Sequence, residues 1–169
     1  MRRCSMTTYR LREGNEQDWT IALRRLAERS WGTLPEHLRR RTSPQQVYRE
    51  TDATARAILN SGGWHYLIVA ENEQGENVGH LWVGEARDSF TGIKRGYIYD
   101  IFVEPAHRRR GLGRRLMLEA ERLCRQRGDH EMGFSVEVNN IAARRLYESL
   151  GYRTEYLVMS KPLVDSERE

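Results

Sequence analysis

A chain of 169 residues with 38% hydrophobic and 31% charged residues is the size of one ordinary domain, with enough apolar material for a single core. The net charge of +4 suggests an anionic partner, a role that a small nucleotide-like cofactor fills as well as a nucleic acid. Periodic apolar runs exclude a disordered chain, and no run reaches the length of a membrane span. Two cysteines, Cys4 and Cys124, exclude a disulfide framework and any metal-ligand spacing, so no metal is expected.

The opening "MRRCSMTTYR" is basic without an apolar stretch behind it, which is not the pattern of a signal peptide, and a cytoplasmic setting is expected. The start is readable at either Met1 or Met6, and residues 1–7 and 164–169 are expected to be flexible tails. Thr8 to Glu13 alternates as a first strand. Asn15 is an N-cap, and Trp19, Ala22, Leu23 and Leu26 form a helical stripe to about Arg29. "SWGTLPEHLRRR" reads as a loop or broken turn. Ser43, Pro44, Gln45 and Gln46 make a capping box, and the helix they open has Val47, Thr51, Ala55 and Leu59 on its inner face before Gly62 and Gly63. "WHYLIVAENE" and "NVGHLWVGEAR" flank a short hairpin turn at Gln74, Gly75 and Glu76. The nearly all-apolar "GYIYDIFV", Gly96 to Val103, reads as a central strand ended by Pro105. A helix from Gly111 carries Leu112, Leu116, Ala120 and Leu123 on one face and stops at Gly128. Then come a strand, "EMGFSVEV", a short helix with Ala143, Leu146, Tyr147 and Leu150, and a last strand, "YRTEYLVMSK". The order β-α-α-β-β-β-α-β-α-β predicts one α/β domain over residues 1–169, with a mixed sheet of α+β character rather than a simple doubly wound one.

"RRRGLGRR", Arg108 to Arg115, sits at a strand-to-helix junction. A helix N-terminus presents unpaired N–H groups and a positive dipole end, Gly111 and Gly113 let the backbone approach a phosphate, and arginines close around the oxygens. Both the Walker spacing and the dinucleotide spacing GxGxxG are absent. Nucleic acid is disfavoured, because the other arginine pairs (Arg24 and Arg25, Arg144 and Arg145) are scattered and accompanied by glutamates. Arg115 reads as solvated.

"VEPAHRRRGLGRRL" resembles the acetyl-CoA signature R/Q-x-x-G-x-G/A of the GCN5-related N-acetyltransferase (GNAT) superfamily, met here by Arg108, Gly111 and Gly113. "FSVEVNNIAARRLYESLGY" is similar to that family's second cofactor motif, met by Asn140, Ala143, Tyr147, Gly151 and Tyr152. The resemblance covers about Tyr9 to Lys161 and implies the acyl-CoA N-acyltransferase fold. It further implies a co-substrate, acetyl-CoA, with its pyrophosphate on Arg108, Arg109, Arg110, Gly111, Leu112, Gly113 and Arg114, and its pantetheine arm along the backbone of Ile101, Phe102 and Val103. Asn140, Ala143 and Tyr147 complete the cofactor set, with Asn140 alternatively a helix cap.

The implied reaction is direct attack of a primary amine on the thioester. An ammonium of pKa near 10 must lose a proton and a thiolate of pKa near 8.5 must gain one. The family's usual oxyanion donor is a backbone N–H near Val103. Tyr147 is the favoured acid for the thiolate; the alternative is packing alone. Asp100 is a candidate base only if a bulge turns it to the face of Tyr97 and Tyr99, and is otherwise a buried structural carboxylate. Glu85 and Glu137 could act through water, His80 reads as structural, and a dedicated base need not exist. Cys124 reads as core packing. For the acceptor, a small amine, an amino-sugar or a peptide N-terminus, the candidates are Trp31, His37, Phe90 and Tyr156 with Glu36, Asp88 and Glu155. A noncatalytic CoA-binding module is the alternative. Oligomeric state is not readable, and a homodimer is compatible with the sequence.

Overall fold

The computed structural model describes residues 8–161 and 163; Cys4, Met6 and both expected tails lie outside the described residues. The elements are β1 (Arg10–Glu13), α1 (Glu16–Thr33), α2 (Glu36–Arg39), α3 (Pro44–Leu59), β2 (His65–Glu71), β3 (Asn77–Arg87), β4 (Lys94–Val103), a single 3-10 turn at Pro105–His107, α4 (Leu112–Gln126), β5 (Met132–Gly133) and α5 (Ile141–Ser149). The strands form one mixed sheet in the order β1-β2-β3-β4-β5, antiparallel except for the parallel pair β4 and β5.

Local chemistry starts the helices where the sequence places them. Asn15 accepts from Asp18 N while the Asp18 carboxylate accepts from Asn15 N, a reciprocal box that satisfies two orphan donors of α1. At α3 only half of the expected box forms. Ser43 Oγ accepts from Gln46 N, but the Gln46 side chain bonds the Thr42 hydroxyl instead of reaching back. The "SWGTLPEHLRRR" stretch is not a plain loop: α1 runs on to Thr33, and α2 forms behind Pro35.

Alternation along β2 and β3 separates two cores. On one face, Ile68, Ala70, Leu81, Val83 and Ile98 pack on Leu112, Leu116, Met117 and Ala120 of α4. On the other, Leu67, Val69 and Trp82 pack on Ala22 and Leu23 of α1 and Ala55 of α3. Gly96 is required where α4 crosses the sheet, because a Cβ there would overlap the Cys124 sulfur. Cys124 is buried and in no disulfide among the described residues, its thiol pushed up to about 12 first by burial, which fits the packing reading.

The C-terminal part departs from expectation. Of "EMGFSVEV" only Met132 and Gly133 pair as strand, and "YRTEYLVMSK" carries no strand pairing among the described residues. Alternation marks a strand's two faces but cannot supply the neighbour whose backbone completes the ladder. Val138, Leu157 and Met159 accordingly stay exposed.

Candidate functional site

The turn leading into α4 is built from backbone that bends twice. Arg109 has φ 60° and Gly111 φ 78°, both left-handed, and a Cβ at Gly111 would meet no other atom within 4 Å. Gly111 is therefore there for its conformation rather than for close packing. Helices α1, α3 and α5 each have a side chain capping their first N–H groups, from Asn15, Ser43 and Asn140, whereas the Gly111 cap of α4 has none among the described residues. Those N–H groups lie at the positive end of a 15-residue helix, an arrangement chemically suited to an anion. Gly113 lets α5 come close: a Cβ there would lie 3.2 Å from Leu146 Cδ2.

The arginines around this turn divide by role. Arg108 Nε donates to the Val103 carbonyl (2.9 Å), tying the loop to the end of β4. Arg114 Nη1 reaches the Ser149 hydroxyl on α5 at 3.2 Å. Arg115 is not simply solvated, since its Nη2 donates to the Tyr9 carbonyl at 2.9 Å and fastens β1 to α4. Arg109 and Arg110 are exposed. Leu112 is buried in the core and can offer an anion only its N–H.

Beside this turn, β4 has an open edge. It pairs with β5 only at Gly96 and Tyr97, so from Ile98 to Val103 that side has no strand partner among the described residues. The two strands separate into a cleft of about 860 Å³ lined by Tyr97, Phe134, Ser135, Glu137, Tyr147 and Tyr156 among others. Tyr97 and Ser135 hydroxyls bridge its floor at 3.0 Å. Tyr147 reaches the cleft from α5, with its ring 4.5 Å from that of Phe134 and its hydroxyl without a protein partner among the described residues. Burial, and secondarily the negative charge of Asp100, push its phenol above the usual value, so it remains protonated. Asn140 Oδ1 accepts from Ala143 N at 3.2 Å, which is the cap reading; Ala143 is half-buried one turn before Tyr147.

The condition attached to Asp100 is met. The register between β3 and β4 shifts at Trp82 and Val83, leaving Tyr99 as an extra residue on β4. Beyond this bulge the phase reverses. Tyr99 packs into the α1 and α3 core, Asp100 also faces α1, and Ile101 and Val103 turn to the α4 core. The Asp100 carboxylate accepts from Arg29 Nη2 at 2.7 and 2.9 Å and lies 2.8 Å from His80 Nε2. Burial alone would raise its pKa, but the His80 hydrogen bond and the Arg29 charge together hold it below the usual carboxylate range. Arg25 and Arg29 flank the Phe102 ring with their guanidiniums 4.9 and 4.8 Å from its centroid, and Arg25 Nη2 bonds Glu104 at 2.6 Å. The sequence reading missed this use of α1, although arginines four apart on a helix with an apolar stripe were its visible signal.

The remaining candidates scatter. Glu85 pairs with Lys94 at 2.8 Å. Trp31, His37 and Glu36 lie on α1 and α2 and do not line the cleft, and Glu36 pairs with Arg40. Asp88 Oδ1 is occupied by Phe90 N, Thr91 N and Thr91 Oγ1 in the β3–β4 turn. Tyr156 and Glu155 do line the cleft, and Phe90 stacks on Tyr156 with ring centroids 5.8 Å apart. Among the described residues no group of acidic, histidine or cysteine side chains could hold a metal ion, and no helix is long and apolar enough to cross a membrane.

With this geometry in place, likenesses to known proteins bear on its use. The sequence profile of the acetyltransferase (GNAT) family matches residues 20–152. An L-methionine sulfoximine/L-methionine sulfone acetyltransferase of Salmonella typhimurium is 34% identical over 87 residues, 52% of this chain and 50% of that protein. An L-amino acid N-acyltransferase of Escherichia coli is 32% identical over 87 residues, with the same coverage of 52% and 50%. The chain thus spans about half the length of these two curated relatives. Among solved structures, a Pyrococcus furiosus chain described as an acetyl transferase superposes with a TM-score of 0.76 at 31% identity, over 92% of this chain and 100% of that one. An aminoglycoside N-acetyltransferase solved in complex with CoA gives a TM-score of 0.65 at 19% identity, over 94% of this chain and 97% of that one, a likeness of fold.

Proposed function

Since the chain belongs to the acetyltransferase (GNAT) family, we propose that it transfers an acetyl group from acetyl-CoA to a small primary amine by direct attack with both substrates bound. The observation that carries this reading is the uncapped, glycine-opened N-terminus of α4 beside the free edge of β4, with Tyr147 in the cleft that follows. The N–H groups from Leu112 onward and the arginines Arg108 to Arg110 and Arg114 suit a diphosphate. The edge at Ile101, Phe102 and Val103 suits an arm that carries amides, and a backbone N–H near Val103 is the donor assigned to the oxyanion. In this reading Asn140 and Ala143 contribute by holding the start of α5, and so the position of Tyr147.

Tyr147 donates its proton to the departing thiolate, for which a phenol kept neutral by burial is suited. Asp100 is a poor base, because its carboxylate is already engaged by Arg29 and His80 and held as the anion. The ammonium proton leaves instead to water in the open cleft, where Glu137 and Glu148 stand in the wall. In the cleft wall Arg95 pairs with Glu131 and lies 4.0 Å from Glu155, and Arg144 lies 3.7 Å from Glu148, which leaves Glu137 to attract an ammonium and Arg153 to accept a carboxylate. The amino-acid-type substrates in the names of two relatives agree with that mixture and favour an α-amino-acid-like acceptor. A cytoplasmic reaction, where acetyl-CoA is made available and Cys124 stays reduced, accords with this reading.

The test is thiol release from acetyl-CoA over a panel of amino acids, polyamines, amino-sugars and peptides. Turnover with any one class supports the proposal and names the acceptor. CoA binding without turnover across the panel replaces it with a noncatalytic module, and DNA affinity that falls steeply with salt, without CoA binding, replaces both.

A further inference from the structure

We infer that Asp100, together with Arg29 of α1, is a positioning residue that fixes the β4 edge for the acyl donor; this rests on the acetyl-transfer reading above. The argument begins with the bulge at Tyr99. A bulge can migrate along a strand, and each one-residue slip exchanges the faces of the side chains it passes. A slip past Asp100 would carry the carboxylate from the α1 face, away from Arg29 and His80, into the apolar cluster of Leu112, Leu116, Met117 and Ala120. The buried charge therefore pins the bulge, and with it the phase of Ile101, Phe102 and Val103, the residues placed against the donor.

The grip is double. Arg25 and Arg29 lie one helical turn apart, joined by a bond from Arg29 Nε to the Arg25 carbonyl at 3.1 Å. They reach carboxylates four residues apart, Asp100 on β4 at 2.7 Å and Glu104 just past its end at 2.6 Å, with the Phe102 ring held between the two guanidiniums. Arg25 also bonds the Asn77 side chain at 2.9 Å and its carbonyl at 3.1 Å, so the start of β3 is fixed by the same clamp. His80, fully buried, approaches Asp100 from β3 with Nε2 and leaves Nδ1 without a partner among the described residues. A buried imidazole with one nitrogen unsatisfied is tolerated where its other nitrogen does something the fold needs, here closing the carboxylate's second side. The opposite edge of the same stretch of strand has no strand partner among the described residues, so its shape depends on the β3 ladder and on this clamp beneath it.

The test compares Asp100→Asn, Arg29→Met and the double variant with Ser43→Ala. Ser43 caps α3 by accepting from Gln46 N, away from the cleft and outside the clamp, and serves as the control for lost stability alone. KM for acetyl-CoA, kcat per folded molecule and CoA affinity by calorimetry are measured below each variant's melting transition. Asp100→Asn and Arg29→Met are each expected to raise KM for acetyl-CoA at least ~10-fold and to lower kcat, with the double variant no worse than the worse single one. Ser43→Ala should lower the melting temperature and leave KM unchanged. If the β4 variants behave as Ser43→Ala does, the positioning role is overturned. Arg29, partly exposed, can be replaced even if Asp100→Asn fails to fold, and Arg29→Met then decides alone. Should the wild type bind CoA without turnover, the acetyl-transfer reading fails, while CoA affinity still reports on positioning.

Discussion

Replacing Tyr147 with Phe removes one hydroxyl and nothing else that the fold uses. The ring keeps its edge contacts with Phe134 at 4.5 Å and Tyr152 at 6.4 Å, and the lost hydroxyl has no protein partner among the described residues. Thermal stability should therefore change by no more than about 1 kcal/mol, because no intramolecular hydrogen bond is broken. CoA affinity should hold within about twofold. Turnover is a different matter: loss of a general acid costs about 100-fold, equivalent to about 2.7 kcal/mol of barrier. The pH dependence carries its own sign. The acid must be protonated to act, and burial followed by the Asp100 charge raises the phenol above its ordinary value of 10.0. The deficit should accordingly be uniform between pH 7 and 9, with no alkaline limb from Tyr147 in that interval. Thiol release at saturating donor and amine, paired with calorimetric CoA binding, makes the measurement. A Phe variant with kcat within twofold of wild type would reduce Tyr147 to packing and refute the reasoning.

Gly111→Ala should weaken CoA binding and cost about 1–2 kcal/mol of stability, because φ 78° is left-handed while the space around the new methyl is open. Gly111→Asn should lose less on both counts; equal behaviour of Gly, Asn and Ala by calorimetry and melting would remove conformation as the reason for the glycine. In the first turn of α1, burial raises the Asp18 carboxyl, but bonds from Arg12, Asn15 and Asn77 outweigh it and lower its pKa in the folded state. The stability this provides is present above the ordinary value of 3.8 and is lost as pH falls below it, through the lowered folded value. Asp18→Asn should cost about 2 kcal/mol at neutral pH and flatten the acid limb of denaturation curves recorded from pH 7 to 3; an unchanged acid slope would show that other carboxylates carry it.

What the sequence revealed and what it concealed follow from the range of the interactions involved. The glycine turn, the caps at Asn15 and Asn140, and the faces of α1, α3 and α4 are local, set by residues three or four apart, and they stand as read, while Ser43 caps α3 without the return bond of a full box. The orientation of Asp100 was legible only as a condition. Strict alternation places it opposite Tyr97 and Tyr99, and one extra residue, fixed by pairing with β3, reverses the answer. Arg25 and Arg29 looked like scattered charge because their partners, Glu104 and Asp100, lie 79 and 71 residues away. The same limit applies to "FSVEV" and "YRTEYLVMSK": β-type alternation was plain, but the neighbouring backbone that makes a strand is a property of the fold. Among the acceptor candidates, only Tyr156 and Glu155 line the cleft, joined there by Phe90 through ring stacking, and no local pattern joined them.

The most direct test of the central claim is product analysis of the purified chain with acetyl-CoA and an α-amino acid that supports thiol release. The account predicts one N-acetylated amine per thiol liberated, formation that requires both substrates together, and protein whose intact mass never gains an acetyl group. Acetyl retained on the protein when the amine is withheld, or tight CoA binding with no acetylated amine from any acceptor class, would contradict it.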